Sequence, residues 1–213
     1  MKLYSYWRST AAYRVRIALN IKQIEYDYKA IHLVKNGGQH LQEDYKSLNP
    51  QSLVPTLETD DGQVITQSLA IIDYLEAIST KNSLYSDNQI TNAQIKAMAL
   101  SVACDIHPLN NLRVLKYLKG QDWQQAQIDQ WYRHWIDQGF SAIEQQLKQS
   151  AGTYCFGDNV TIADIFLVAQ VYNANRFKVP LDDYPLIVRV NQNCLELKVF
   201  IDAIPENQVD CDL

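Results

Sequence analysis

Arg8-Ser9-Thr10-Ala11-Ala12-Tyr13-Arg14 is the segment of this chain best suited to hold a reactive anion. It follows a short apolar run and opens a helical pattern, so free backbone N–H groups and the positive end of a helix dipole meet there. A hydroxyl in that setting can donate a hydrogen bond to a thiolate. A free thiol near pKa 8.5 is only ~3% ionised at pH 7, and each unit of depression takes about 1.4 kcal/mol of preferential stabilisation. A plain N-cap by Ser9 or Thr10 satisfies the same residues, and the segment alone does not separate the two roles. Three further places carry chemistry. Leu53-Val54-Pro55-Thr56 sets a proline just before a strand. A cis bond there would expose the Val54 N–H and C=O to an extended peptide, whereas base rates favour an ordinary trans proline. Gln67-Ser68 stands at a helix start, where a serine and its neighbouring N–H groups can hold a carboxylate. Within Asp105 to Arg113, His107 and Asn111 are spaced to share one helix face. Arg113 and Arg176 each carry a planar fork that can clamp a carboxylate, although a surface ion pair is the commoner fate of an arginine.

The elements that must position these residues change character along the chain. Lys2 to Tyr6 reads as a strand, Thr10 to Asn20 as a helix and Tyr26 to Ile31 as a second strand. Asn36-Gly37-Gly38 marks a loop. Thr56 to Glu58 and Gln63 to Ile65 read as a hairpin turning at Asp60-Asp61-Gly62. Ile71, Ile72, Leu75 and Ile78 then fall on one helical face. The order β-α-β-(loop or helix)-β-β-α gives a mixed sheet covered by helices. Lys81 to Asn88 is a polar linker, and beyond it the pattern is helical. Residues 91–118 read as one long helix kinked at Pro108, and 124–148 as another. Thr161-Ile162-Ala163-Asp164 has the form of a capping box that opens a third. Residues 184–200 hold one or two more, and the last dozen residues read as an irregular tail. The expected fold class is therefore α/β plus all-α, with domains at 1–80 and 88–205.

The 213 residues are 47% apolar and 20% charged, the balance of a chain that buries a core. A net charge of −5 without a basic block argues against nucleic-acid binding. No signal-peptide pattern and no run of ~18 apolar residues is present, so a soluble cytoplasmic protein without a membrane span is expected. Cys104, Cys155, Cys194 and Cys211 are far apart and form no CxxC, which speaks against a disulfide framework, a metal site and a protein thiol as nucleophile. No glycine-rich nucleotide motif occurs.

Taken in order, these segments resemble the glutathione transferase superfamily over nearly the whole chain. The match lies in Val54-Pro55 before the third strand, Gln67-Ser68 before the third helix and Thr161-Ile162-Ala163-Asp164 in the helical half. Tyr4 to Ser9 followed by Arg14-Val15-Arg16-Ile17-Ala18-Leu19 is more specific and is similar to the zeta class, which includes maleylacetoacetate and maleylpyruvate isomerases. So are Asn49 to Leu57, Gln67 to Ile72 and Asn175-Arg176-Phe177-Lys178-Val179. The resemblance implies a thioredoxin-like first domain, a helical-bundle second domain, a homodimer, glutathione as cofactor and a maleyl keto acid as substrate. The implied reaction is the cis–trans isomerisation of maleylacetoacetate in tyrosine and phenylalanine breakdown, or of maleylpyruvate in gentisate breakdown. A conjugating transferase and a non-catalytic binding module are the alternatives. Ser9, Thr10, Arg8 and Arg176 take the implied catalytic positions. Ser9, Thr10, Ala11, Ala12, Tyr13, Arg14, His40, Val54, Gln67 and Ser68 hold glutathione, with His107, Asn111, Leu112 and Arg113 from the helical half. Arg16 is expected in a structural ion pair. One departure stands out: the class usually reads Ser-Ser-Cys where this chain has Ser9-Thr10-Ala11.

Overall fold

Lys2–Ser5 forms strand β1, with Leu3 and Ser5 buried and Lys2 and Tyr4 partly exposed, the alternation of a sheet strand. The computed structural model describes all 213 residues. Helix α1 (Thr10–Lys22) follows and ends at Gln23, whose left-handed backbone (φ 54) returns its N–H to the Asn20 and Leu19 carbonyls. Strand β2 (Asp27–Ala30) then pairs parallel with β1, bringing Leu3 opposite Tyr28. Short 3-10 turns and helix α2 (Glu43–Leu48) lead to the antiparallel pair β3 (Thr56–Glu58) and β4 (Val64–Thr66). The sheet order is β2-β1-β3-β4, with Leu3 opposite Leu57 in its centre. Helix α3 (Ser68–Ile78) packs against α1, and the buried Lys22 ammonium ties them, 2.6 Å from Glu76 and 2.8 Å from the Lys81 carbonyl.

Two compact units emerge: Met1–Ser83 together with Leu197–Leu213, and Leu84–Glu196. The expected helical domain, 88–205, stops short of its end: helix α9 (Lys198–Ile201) packs on α1, where Asn20 donates to the Val199 carbonyl at 3.0 Å, and Arg16 donates to the carbonyl of Ala203 beyond it. Polar side chains of α1 that need main-chain acceptors are what draw the segment back.

The second unit is helical: α4 (Gln89–Leu100), α5 (Leu112–Gly120), α6 (Gln125–Ser150), α7 (Ile162–Arg176) and α8 (Pro185–Leu195). Helix α7 is its core, buried along nearly its whole length. Its capping box forms as the spacing predicts, with the buried Asp164 accepting from Thr161 N at 2.8 Å and Thr161 Oγ1 at 2.9 Å. The expected long helix over 91–118 is broken, not merely kinked. After α4 the chain widens into a π-helical stretch, Ser101–Ile106, where His107 N reaches the Val102 carbonyl at 2.9 Å. Pro108 has no N–H to continue the ladder. A turn over 107–110 follows, and Asn111 restarts the chain as the cap of α5. No helix of either unit is long and apolar enough to cross a membrane.

Candidate active site

Ser9 closes a turn. Its N–H bonds back to the Tyr6 carbonyl at 2.9 Å, and α1 begins at the next residue. The Ser9 Oγ accepts from Ala12 N at 3.3 Å, so the cap role is real. That bond uses a lone pair and leaves the hydroxyl proton uncommitted. The cap and the thiolate donor are therefore compatible roles of one side chain. Thr10, only 3% exposed, lies inside the fold, whereas Ser9 is half-buried and reachable. Ala11 is half-buried, and the side chains of Ala12 and Tyr13 face the core.

The second side of the site is the bond Val54–Pro55, which is cis, against the base-rate expectation of trans. Buried side chains that sequence reasoning had not assigned to the site brace this turn. Asn49 Nδ2 donates to the Leu53 carbonyl at 2.8 Å and to Thr56 Oγ1 at 3.1 Å. Tyr45 Oη donates to the same carbonyl at 2.6 Å, and burial raises its pKa. Val54 shares one apolar cluster with Tyr6, Trp7 and Tyr45, so the Ser9 turn, α2 and the proline turn rest on common packing. The third side is the start of α3. Gln67 sits there at φ 71, a left-handed geometry for a non-glycine residue. Its amide donates to Gln51 Oε1 at 3.1 Å. Buried Ser68 accepts from Arg14 Nη1 at 3.4 Å, linking α1 to α3. His40 lies half-buried in a 3-10 turn (39–41). Gly38, also missed from sequence, makes room for it: at φ +100, a Cβ there would sit 2.6 Å from the His40 ring.

Arg8, partly exposed, holds its guanidinium 5.3 Å from the Trp7 ring and 6.0 Å from that of Tyr6. Arg16 corrects the expected ion pair. Fully buried, it donates to the carbonyls of Trp7 (3.0 Å) and Ala203 (3.1 Å) and to Ser5 Oγ (3.3 Å), with no carboxylate partner, and burial lowers its pKa.

In the helical unit His107 is half-buried in the turn after the π-helical stretch. Asn111, extended at φ −67 and ψ 147, accepts from Arg113 N at 3.1 Å. The pair therefore does not share a helix face, because the segment between them is not helical. Leu112 and Arg113 are exposed on the first turn of α5. Arg176 is exposed at the C-terminal end of α7, where the helix dipole favours a cation, 4.9 Å from the Phe177 ring. Cys155 and Cys194 are buried and their thiols pushed up by desolvation, as structural cysteines are.

A four-stranded sheet with a cis proline beside a helix N-terminus, followed by a helical unit, is the architecture of glutathione transferases. Residues 8–78 match the N-terminal domain of glutathione S-transferase and residues 121–189 its C-terminal domain. The chain belongs to this family, and its fold is a thioredoxin-like domain followed by a helical one. It is 45% identical to a probable maleylacetoacetate isomerase of Vibrio cholerae, covering 98% of this chain and 97% of that one. It is 46% identical to a maleylpyruvate isomerase of Ralstonia, covering 99% of both. A holo structure of a bacterial zeta-class maleylpyruvate isomerase superimposes with a TM-score of 0.95 at 45% identity over the whole of both chains. Within the family the chain is a zeta-class member. A maleylacetoacetate isomerase of Anaeromyxobacter dehalogenans, 34% identical with a TM-score of 0.88 over 100% of this chain and 97% of that one, was solved with dicarboxyethyl glutathione and citrate in its active site.

Proposed function

We propose that the protein is a glutathione-dependent isomerase that converts maleylacetoacetate to its fumaryl isomer, in the breakdown of tyrosine and phenylalanine. The observation that carries this reading is Ser9, a reachable helix-capping hydroxyl whose proton is uncommitted, set in a chain of this class. The residues present fit glutathione: an anion-favouring helix start at Ser9, a braced turn carrying Val54 and the buried Ser68 at the start of α3. Bound glutathione supplies a thiolate able to add across the cis double bond, free it to rotate and leave again, so it is recovered unchanged. The dicarboxyethyl glutathione held by the Anaeromyxobacter relative has the composition expected of a thiol added to a butenedioate, which supports that chemistry for the class.

The chain's own residues divide the remaining work. Ser9 donates a hydrogen bond from its hydroxyl to the thiolate sulfur and so favours the ionised form, with the N-terminus of α1 adding its dipole. Ala11 replaces the cysteine usual in the class, so no protein thiol assists at that position. Arg8 and Arg176 bind the substrate carboxylates, and one of these cations supports the negative charge that builds on the keto oxygen. Gln67, Ser68, His40 and the Val54 backbone hold the peptide part of glutathione. His107, Asn111 and Arg113 contribute from the helical unit, and the active form is a homodimer.

Maleylpyruvate is the second reading, favoured by the Ralstonia relative and by His107, whose segment resembles bacterial maleylpyruvate isomerases. Assaying both maleyl acids side by side, with glutathione quantified before and after, tests the proposal. Turnover with glutathione recovered is expected, faster on maleylacetoacetate. Stoichiometric loss of glutathione would make the protein a conjugating transferase, and no turnover of either acid would leave a binding module. Arg176→Ala is expected to raise KM for the maleyl acid roughly tenfold or more, the worth of a lost charged hydrogen bond. Glutathione affinity should stay the same.

A further inference from the structure

The turn that delivers Ser9 runs from Tyr6 to Ser9, with Trp7 as its second residue. Such a residue has no hydrogen-bond partner within the turn for its own N–H or C=O. Here both are taken by side chains. The Trp7 carbonyl accepts from Arg16 Nη2 at 3.0 Å, and the Trp7 N–H donates to Asp210 Oδ2 at 3.0 Å. The other Asp210 oxygen accepts from Tyr28 Oη, on β2, at 2.6 Å. One carboxylate thus bridges the edge strand and the active-site turn, and it comes from the far end of the chain. The segment carrying it is anchored on both sides. Upstream, Gln208 Nε2 donates to the carbonyls of Asp202 (3.0 Å) and Ile204 (2.9 Å). Downstream, Asp212 Oδ2 pairs with Lys35 at 2.7 Å and His32 Nε2 at 3.2 Å. His32 Nδ1 accepts from Val34 N and Lys35 N, which leaves Nε2 as the donor to Asp212. Between the two acids, Cys211 packs on the cluster that contains Tyr6, Trp7 and Val54.

We infer that Asp210 is a positioning residue for catalysis: through the Trp7 amide, the C-terminal segment sets where Ser9 places its hydroxyl relative to the glutathione sulfur. This rests on the reading of Ser9 as the thiolate donor. A hydrogen bond to a thiolate is sensitive to direction, and a displacement of ~1 Å can cost up to 10²-fold in rate. Of the Trp7 backbone groups, the N–H is the one that Arg16 cannot hold.

The test uses Asp210→Ala, Asp210→Asn, Tyr28→Phe and Ser9→Ala in the full-length protein. The thiol pKa of bound glutathione is read from thiolate absorbance against pH, and Trp7 amide exchange is read in the ligand-free protein. Asp210→Ala is expected to speed exchange at Trp7, raise the bound thiol pKa by about one unit and lower kcat roughly tenfold. Glutathione Kd should move less than about twofold, since the peptide contacts lie elsewhere. Asp210→Asn keeps an acceptor oxygen for Trp7 and should restore all these readouts, a rescue that a mere loss of charge would not give. If Asp210→Ala fails to fold, Tyr28→Phe carries the test, with a smaller shift in the same direction. An unshifted thiol pKa in the folded Asp210→Ala or, failing that, in Tyr28→Phe overturns the inference, as does Asp210→Asn falling as far as Asp210→Ala. Ser9→Ala separates the two levels. If it raises the thiol pKa while the Asp210 variants do not, only the positioning role falls; if it leaves the thiol pKa unchanged, the serine reading itself is lost.

Discussion

Two adjacent hydroxyls stand where the chain enters α1, and burial separates them. Thr10 is the first helical residue and almost wholly enclosed; Ser9 is outside the helix, half-buried, with its oxygen capping Ala12 and its proton available. A charge-assisted hydrogen bond is worth about 1.5–3 kcal/mol, or roughly one to two pKa units on the thiol. Ser9→Ala is therefore expected to lower kcat/KM by about ten- to a hundredfold, with a far smaller change in glutathione Kd. Thr10→Val should keep turnover within about threefold of the parent, because the enclosed side chain offers no reachable donor, and the lost buried hydroxyl should cost stability instead. Steady-state kinetics with calorimetric glutathione binding would decide this. Equal losses in both variants would move the donor role to the pair, and mild losses in both would remove it. The cysteines point the same way: burial pushes the Cys155 and Cys194 thiols above their ordinary value, so neither supplies a nucleophile at neutral pH.

At the scale of elements, what the sequence revealed and what it hid follow from how local each signal is. The four strands and helices α1 and α3 of the first unit were legible because period and turn residues are local: Asp60-Asp61-Gly62 marks a hairpin by itself. The capping box at Thr161 was legible for the same reason. Its third partner was not, because Asp164 Oδ1 also accepts from Cys155 N at 2.7 Å, a contact outside any helix motif. Removing that carboxylate strands several buried donors, each costing about 1–3 kcal/mol. Asp164→Ala should thus destabilise by about 3 kcal/mol or more and lower Tm by roughly 6–12 °C, with Asp164→Asn losing less. The break in the helix after α4 was hidden too. Apolar spacing runs straight through 101–106, and only the hydrogen-bond pattern shows the wider turn. Gly139 of α6 lies against that turn, where an added Cβ would overlap Ile106 Cδ1. Gly139→Ala gains helix propensity but overpacks, and a net loss of about 1–3 kcal/mol is expected. Thermal denaturation checks both variants, and a stabilised Gly139→Ala would mean that Ile106 can move aside. Among the proposed site residues, Ser9, Val54, Gln67 and Ser68 stand together as a set only through the family resemblance. Tyr45, Asn49 and Gly38 act by bracing neighbours, and residue type alone does not announce that.

Across the whole molecule the decisive feature is that the last seventeen residues, Leu197–Leu213, belong with the first eighty-three rather than with the helices that precede them. No periodicity marks this return. It shows only in what α1 needs: a buried guanidinium at Arg16 that bonds no carboxylate, satisfied by carbonyls from both ends of the chain. Leaving such a charge short of acceptors costs about 3–5 kcal/mol when a partner is removed. Deleting residues 203–213 takes away the Ala203 carbonyl, the Asp210 bond to Trp7 and the Asp212 pair together. The loss should be local to the sheet unit. Amide exchange is expected to accelerate in β1, in the Tyr6–Ser9 turn and in the first turns of α1, while α6 and α7, which belong to the other unit, keep their protection. Mapping exchange by peptide mass spectrometry distinguishes this from a general collapse. Equal acceleration in α7 would show that the two units unfold as one. Unchanged exchange in β1 would show that the returning segment is ornament, and that Arg16 finds its oxygens without it.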